Sequence, residues 1–169
     1  MGMILVFRLA RREQLSSLLA SPEQVIEFLH DTDEEDAGRS ESGLDLDKSW
    51  HGLHFLLTGT DWGGTPPLNF IVAGGEAIGD VDVGYGPARA FTPEQLAELS
   101  RALEEISPDA LRQRFDPAKM MALGIYPSIW DRDPADDDTL GYVLEYFEML
   151  KPFLRKGAER GLGLVLYMS

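Results

Sequence analysis

The chain contains no cysteine, so it can form neither a disulfide bond nor a metal site built from thiolates. Basic residues are also few: 15 Lys and Arg stand against 29 Asp and Glu, which gives a formal net charge of −14. Such acidity repels phosphate backbones and anionic lipids, and argues against nucleic acids and membranes as partners. No apolar run reaches the length of a membrane-spanning helix, and the first residues lack a signal-peptide pattern. We therefore expect a cytoplasmic protein.

Common catalytic and cofactor-binding motifs are missing as well. The sequence has no Gly-x-Ser-x-Gly elbow, although a Ser-His-Asp set assembled from distant residues would leave no such motif. The segment from Gly84 to Arg89 is rich in glycine, but Arg89 stands where a dinucleotide-binding loop needs its third glycine. These absences predict no cofactor and favour a role other than catalysis.

The 169 residues are 44% apolar, which fits a single domain spanning residues 1–169 with one sizeable core. Continuous apolar runs predict strands over residues 3–9 and 163–168, both buried in a sheet. Helix-start signals, each a short polar residue followed by proline, occur at Ser21, Thr92, Ser107 and Asp116. A last amphipathic helix is predicted from Thr139, kinked or restarted at Pro152 and ended by Gly157. Residues 125–130 are predicted to be extended, and residues 68–73 to form one or two turns of helix.

The segment from Leu44 to Thr60 contains the densest pattern in the chain. Apolar residues at helical spacing predict a helix over residues 45–57, capped by Asp45 or Asp47 and ended by Gly59. Trp50, Leu53 and Leu57 are predicted to face the core.

This segment reads Asp45-Leu-Asp-Lys-x-Trp-x-x-Leu-His-x-Leu-Leu-Thr-Gly59, which resembles the motif of the YfbM-like family of small bacterial proteins. Further likeness lies in the Met-Gly-Met start, in Tyr85 to Arg89, in Ile125 to Pro127 and in the final helix and strand. The resemblance covers nearly the whole chain. It implies an α+β domain with a small mixed sheet, in which the N- and C-terminal strands pack against several helices. It implies no activity, because the family is one of unknown function.

Two acidic segments, residues 31–43 and 131–138, are predicted to be solvated loops. The first places Asp31, Asp33 and Asp36 at ligand-like spacing. An EF-hand calcium loop, however, needs glycine at its sixth position and glutamate at its twelfth, where this chain has Asp36 and Ser42. We interpret the first segment as a mobile acidic loop and the second as an acidic loop.

Asp47, His51 and His54 fall on one face of the predicted helix and could converge on a zinc ion. His51 occupies a variable position of the family motif, and two histidines with one carboxylate lack the completing ligand, so we predict no metal site. A binding site remains more plausible. Its candidate ligand-binding residues, which include Arg89 as an anion clamp beside an aromatic wall, are Trp50, His54, Tyr85, Arg89, Tyr126 and Trp130.

Three hypotheses of function follow. The leading one is a non-catalytic binding or regulatory domain that engages an unidentified protein partner or a small ligand. The second is a hydrolase that uses His54 and an acid in a cleft beside Arg89. The third is an immunity or antitoxin-like protein whose acidic loops cover a basic toxin. A cleft that opens onto His54 and Arg89 would favour the enzyme, whereas buried and packed side chains would favour binding. The sequence leaves the oligomeric state open.

Overall fold

The computed structural model describes residues 2–30 and 42–169. It has an α+β fold built on one five-stranded sheet in the order β2-β1-β5-β4-β3. The strands are β1 (Leu5–Ala10), β2 (Gly43–Asp45), β3 (Glu76–Ala77), β4 (Arg89–Phe91) and β5 (Gly163–Met168). Each pair of neighbouring strands is antiparallel. The predicted fold class is therefore confirmed, but the sheet is antiparallel rather than mixed.

Helices pack on both faces of this sheet. Their bounds are α1 (Arg12–Ala20), α2 (Val25–His30), α3 (Trp50–Thr58), α4 (Pro93–Glu104), α5 (Pro108–Arg114), α6 (Pro117–Ala122) and α7 (Thr139–Glu159). Short 3-10 turns precede two of them, at Pro22–Gln24 and Asp47–Ser49. None of the described helices is long and apolar enough to cross a membrane.

The two terminal strands, β1 and β5, pair along six residues in the middle of the sheet, as their continuous apolar runs predicted. Successive side chains point to opposite faces, so the sheet separates two hydrophobic cores. Phe7 and Leu166 belong to the larger core, which α3, α4 and α7 cover. Val165 belongs to the smaller core, to which α1 contributes Leu15 and Leu18.

Three of the four predicted helix starts have side-chain caps. The oxygens of Thr92, Ser107 and Asp116 each accept the backbone N–H three residues later, at 3.1 Å. Gln95 completes a capping box by accepting the Thr92 N–H. Ser21 is the exception: its side chain makes no cap hydrogen bond, because the chain enters a 3-10 turn before α2 begins at Val25.

Two predicted helix boundaries are wrong. The central helix starts at Trp50 rather than Asp45, because Gly43–Asp45 pairs with β1 as strand β2. Gly157 does not end α7, which runs to Glu159 and passes through Pro152. A Cβ at Gly157 would lie 2.7 Å from a methyl group of Leu9, so this glycine allows the helix to approach the sheet closely.

Residues 125–130 differ from the prediction, and one of the two acidic segments lies largely outside the described residues. Residues 125–130 form hydrogen-bonded turns rather than an extended segment, with Ser128 N–H donating to the Ile125 carbonyl at 2.9 Å. The acidic segment 31–43 falls outside the described residues except at its last two positions, where Ser42 leads into β2 at Gly43. The second acidic segment is described. In it Arg132 pairs with Asp137, and Asp138 caps α7 by accepting the Gly141 N–H.

Candidate functional site

Helix α3 is buried on all sides, and the core positions predicted for Trp50, Leu53 and Leu57 are confirmed. Gly52 accounts for part of this burial. A Cβ at Gly52 would collide with the six-membered ring of Trp130, so only glycine lets that indole lie against the helix. The motif helix is thus the centre of the larger core.

His51 is held in one tautomer by two backbone groups. Its Nδ1 accepts the Tyr126 N–H at 2.8 Å, so the ring proton must be on Nε2, which donates to the Asp61 carbonyl at 2.9 Å. The ring also packs against two indoles, with centroids 4.9 Å from Trp50 and 4.5 Å from Trp62. Burial lowers the pKa of His51, so the neutral ring is the form that fits this site.

His54 has no exposed surface and one unsatisfied nitrogen. The Thr58 hydroxyl donates to the His54 carbonyl at 2.9 Å and lies 3.3 Å from Nε2, whereas Nδ1 has no hydrogen-bond partner. Burial, with a smaller contribution from His51, lowers the pKa of His54 to about 4, against the opposing effect of the Gly63 backbone carbonyl. His54 is therefore neutral at physiological pH and closed off from solvent.

Asp47 does not share a helix face with these histidines. It precedes α3 in a 3-10 turn with a φ of 47°, so helical spacing does not relate it to His51. Its carboxylate accepts the Tyr142 hydroxyl at 2.5 Å, and this bond, together with burial as the larger cause, raises the pKa of Tyr142. Among the described residues, no group of three or more His, Asp and Glu side chains could hold a metal ion.

The candidate residues Trp50, Tyr126 and Trp130 have structural contacts. The Tyr126 ring stacks on Trp50 with centroids 5.6 Å apart, and its hydroxyl accepts the Met3 N–H at 3.0 Å. The indole N–H groups of Trp50 and Trp130 donate to the carbonyls of Met3 and Ile125. Both indoles are buried in the core, so of the predicted aromatic wall of Tyr85, Tyr126 and Trp130, the Trp130 side chain is closed to a ligand.

Tyr85 and Arg89, in contrast, come together at a surface groove of about 160 Å³. The Arg89 guanidinium forms part of its lining and donates to the carbonyls of Phe70, Ile71 and Gly74 at 2.7–3.0 Å. Burial lowers the pKa of Arg89 to about 10, which leaves the side chain charged at neutral pH. A role for Tyr85 and Arg89 in binding stays a prediction, but the two residues share one surface.

Trp62 is the groove residue that the sequence analysis missed. It is 60% exposed, Tyr85 is 54% exposed, and both side chains line the same groove. The sequence did contain a signal for it, namely a tryptophan in a loop rich in glycine, threonine and proline. Such a loop lies at the surface and offers few apolar neighbours that could bury an indole. We call this surface the aromatic groove, defined by Trp62, Tyr85, Pro87, Arg89 and Met168.

Comparison with known proteins gives one family and one fold. Residues 1–167 match the family described as "Domain of unknown function (DUF1877)". Protein YfbM of Escherichia coli (strain K12) is 29% identical over 168 residues, which cover 95% of each chain. A crystal structure of YfbM from Escherichia coli, described as a protein of unknown function, matches with a TM-score of 0.74 at 24% identity, over 98% of this chain and 99% of the other. At that identity the structural match supports the fold alone, and none of the descriptions names an activity.

Proposed function

The chain belongs to the DUF1877 family of unknown function, and we propose that it is a non-catalytic binding domain whose aromatic groove engages a basic segment of a partner protein. The observation that carries this proposal is the convergence of two exposed aromatic rings, Trp62 and Tyr85, on one groove. Tryptophan and tyrosine are enriched among the residues that dominate the energy of protein interfaces, because they bury a large area at a small entropy cost.

The local backbone holds the groove in shape. Tyr85 N–H donates to the Met168 carbonyl at 3.2 Å, which fixes the loop against the end of β5. A Cβ at Gly84 would lie 2.7 Å from the same carbonyl, and Gly84 has a φ of 147°, so glycine permits this approach. A preformed groove of this kind loses little conformational entropy when a partner binds.

Charge favours a basic occupant. Asp61 precedes Trp62 in the chain, and Asp82 lies three residues before Tyr85. The Asp82 carboxylate accepts the N–H groups of Gly84 and Gly86 at 2.9 and 3.1 Å, and these bonds hold its pKa below the usual range. A Lys or Arg side chain could lie across the exposed rings and next to these carboxylates. The formal charge of −14 would also accelerate association with a basic protein.

The same contacts argue against the hydrolase hypothesis. A general base must reach the proton that it removes, but His54 is sealed in the core and His51 uses both ring nitrogens on backbone groups. The Arg89 donors face three carbonyls rather than an open anion site. A cytoplasmic location stays part of the proposal, and it is compatible with a chain that has no cysteine and needs no oxidising compartment to fold.

The proposal can be tested by differential capture. The purified full chain, its Trp62→Ala and Tyr85→Ala variants and a Leu123→Ala control would each be used as bait in a lysate of the native host. Leu123 is a matched control because it is another exposed large apolar residue that does not line the groove. We expect mass spectrometry to identify a protein that wild type and the control retain and that both groove variants lose.

Tryptophan fluorescence then gives a direct measurement with the purified partner. Trp62 is exposed whereas Trp50 and Trp130 are buried, so acrylamide should quench mainly Trp62. Partner binding should reduce this quenching, and added salt should weaken binding. A partner that both groove variants retain, or that leaves quenching unchanged, would refute the aromatic groove as the binding surface. A captured basic toxin that fails this test would instead favour the immunity hypothesis.

A further inference from the structure

A second cavity, of about 250 Å³, lies where β1 ends, α1 begins and α7 ends. Three arginines line it: Arg8 from β1, Arg11 at the N-cap of α1 and Arg160 at the C-cap of α7. Among residues 2–30 and 42–169, the other polar lining comes from Gln14 and Ser42, and no carboxylate lines the cavity. We call this cavity the arginine pocket.

The convergence of three cations is unusual in this chain. Only 15 of its residues are Lys or Arg, and like charges placed together repel one another. The ion pairs recorded within residues 2–30 and 42–169 use other arginines, namely Arg12, Arg112, Arg132 and Arg155. Two acids, Glu13 and Glu27, line an adjoining cavity together with Arg11. Within that described part, the three arginines thus line one cavity, and none of them forms an ion pair with a carboxylate.

Arg8 is fixed in place by the fold and keeps an unused donor. Its Nη1 donates to the Leu29 carbonyl at 3.0 Å, and its guanidinium carbon lies 5.4 Å from the centroid of the Phe28 ring. Its Nε is buried and has no hydrogen-bond partner. A buried N–H without a partner is costly, so the fold holds this guanidinium at the cavity with part of its hydrogen-bonding capacity unused.

We propose that the arginine pocket binds a phosphorylated small molecule. Guanidinium groups bind phosphate through paired, charge-assisted hydrogen bonds, and a doubly charged group offsets more of the mutual repulsion of three arginines than a monocarboxylate does. The cavity is larger than a phosphate group. The organic part of the ligand would lie against Phe28 and Leu162, which line the same space.

This pocket is separate from the aromatic groove, since the two share no lining residue. Their linings also differ, because three arginines line the arginine pocket, whereas aromatic and apolar residues with the single cation Arg89 line the aromatic groove. The proposal therefore stands whether or not the aromatic groove binds a protein.

The test uses the full chain and inorganic phosphate as the probe. Arginine Nε–H resonances are followed by two-dimensional NMR as phosphate is added at constant ionic strength, with acetate as the comparison anion. We expect a saturable shift of the Arg8 Nε–H signal with phosphate and a much weaker response to acetate. A linear shift without saturation, or an equal response to acetate, would overturn the proposal.

Variants link the response to the pocket. Arg11→Ala and Arg160→Ala remove exposed side chains, and each should weaken phosphate binding about tenfold or more, the effect of one charge-assisted hydrogen bond. Arg101→Ala is the matched control, because it removes the same charge from an exposed position of α4 that does not line the pocket. Binding that falls equally in all three variants would reflect net charge alone and would refute the site. Circular dichroism would establish that each variant is folded before the comparison is made.

Discussion

The histidines of α3 and the arginines of the arginine pocket are both polar groups beside apolar side chains, but the fold treats them in opposite ways. Both ring nitrogens of His51 form hydrogen bonds with backbone groups, and His54 has no exposed surface. Arg11 and Arg160 are exposed and line a cavity to which the described residues contribute no carboxylate. Histidine, the residue type that suggests catalysis, is thus structural here. Arg11 and Arg160, in contrast, belong to an arginine cluster that the sequence did not reveal. His54 Nδ1 and Arg8 Nε both lack a hydrogen-bond partner, so accessibility, rather than residue type or an unused nitrogen, distinguishes a binding site from a core here.

The largest expected effect concerns the core around α3. Leu53→Ala should lower the free energy of unfolding by about 2–5 kcal/mol, because Leu53 has no exposed surface and its removal leaves a cavity. Urea unfolding followed by circular dichroism would measure the change. Leu123→Ala, at a position that is 38% exposed, is the matched control and should cost much less. Equal losses in the two variants would mean that α3 is not the centre of the core.

A smaller loss is expected at Arg89, where a charged group has a structural role. Arg89→Met keeps most of the side-chain volume but leaves the carbonyls of Phe70, Ile71 and Gly74 without their donor. Unsatisfied groups of this kind cost about 1–3 kcal/mol. Arg101→Met, on an exposed face of α4, provides the control for loss of charge. If both variants unfold at the same urea concentration as wild type, Arg89 is free to act as a ligand clamp, as the sequence suggested.

The pH dependence of stability should report the buried His54. Its pKa is about 4 in the folded protein and about 6.5 when unfolded, so protons bind first to the unfolded chain as the pH falls. The free energy of unfolding should therefore decrease as the pH falls below 6.5. Between pH 6.5 and 5 this decrease can be separated from carboxylate titration, most of which occurs at lower pH. Thermal unfolding between pH 7.5 and 5 would measure this slope.

Two histidine variants, one test and one control, identify the source of this slope. His54→Gln should flatten the decrease, whereas His30→Gln, at an exposed position, should leave it as in wild type. The remaining slope in His54→Gln is attributed to His51, whose pKa burial also lowers. An identical slope in wild type and His54→Gln would show that solvent reaches His54 in the folded protein.

Local sequence signals predicted much of the fold. Thr92, Ser107 and Asp116 cap helices because a short side-chain oxygen satisfies a backbone N–H in the first turn, which requires no distant contact. Boundaries that depend on distant contacts were missed. Gly43–Asp45 forms a strand because β1 lies beside it, and Gly157 continues α7 because the helix packs on Leu9. Helical spacing gives no information about either neighbour.

The candidate site was harder to predict for the same reason. Tyr85 and Arg89 are close in sequence and share the aromatic groove, but Trp62 joins them only through the fold. Arg8, Arg11 and Arg160 come together because the antiparallel pairing of β1 with β5 brings the start of α1 near the end of α7. The predicted helix face shared by Asp47, His51 and His54 is wrong at Asp47, which precedes the start of α3. Motif spacing is informative only inside a correctly predicted element.

The smallest expected effect is on zinc binding, for which we expect no change at all. Nδ1 of His51 accepts the Tyr126 N–H and its Nε2 donates to the Asp61 carbonyl, so a metal ion would have to displace a backbone hydrogen bond. Asp47 is bonded to Tyr142 instead of facing the histidines. The untagged protein, dialysed against trace zinc and measured by elemental analysis, should contain far less than one equivalent, and His54→Ala should not alter that value.

Stoichiometric zinc that disappears in His54→Ala would reverse the comparison between the histidines of α3 and the arginine pocket, because α3 would then be the binding site. A set with fewer than four protein ligands would leave a coordination position for water, and the hydrolase hypothesis would become the stronger one.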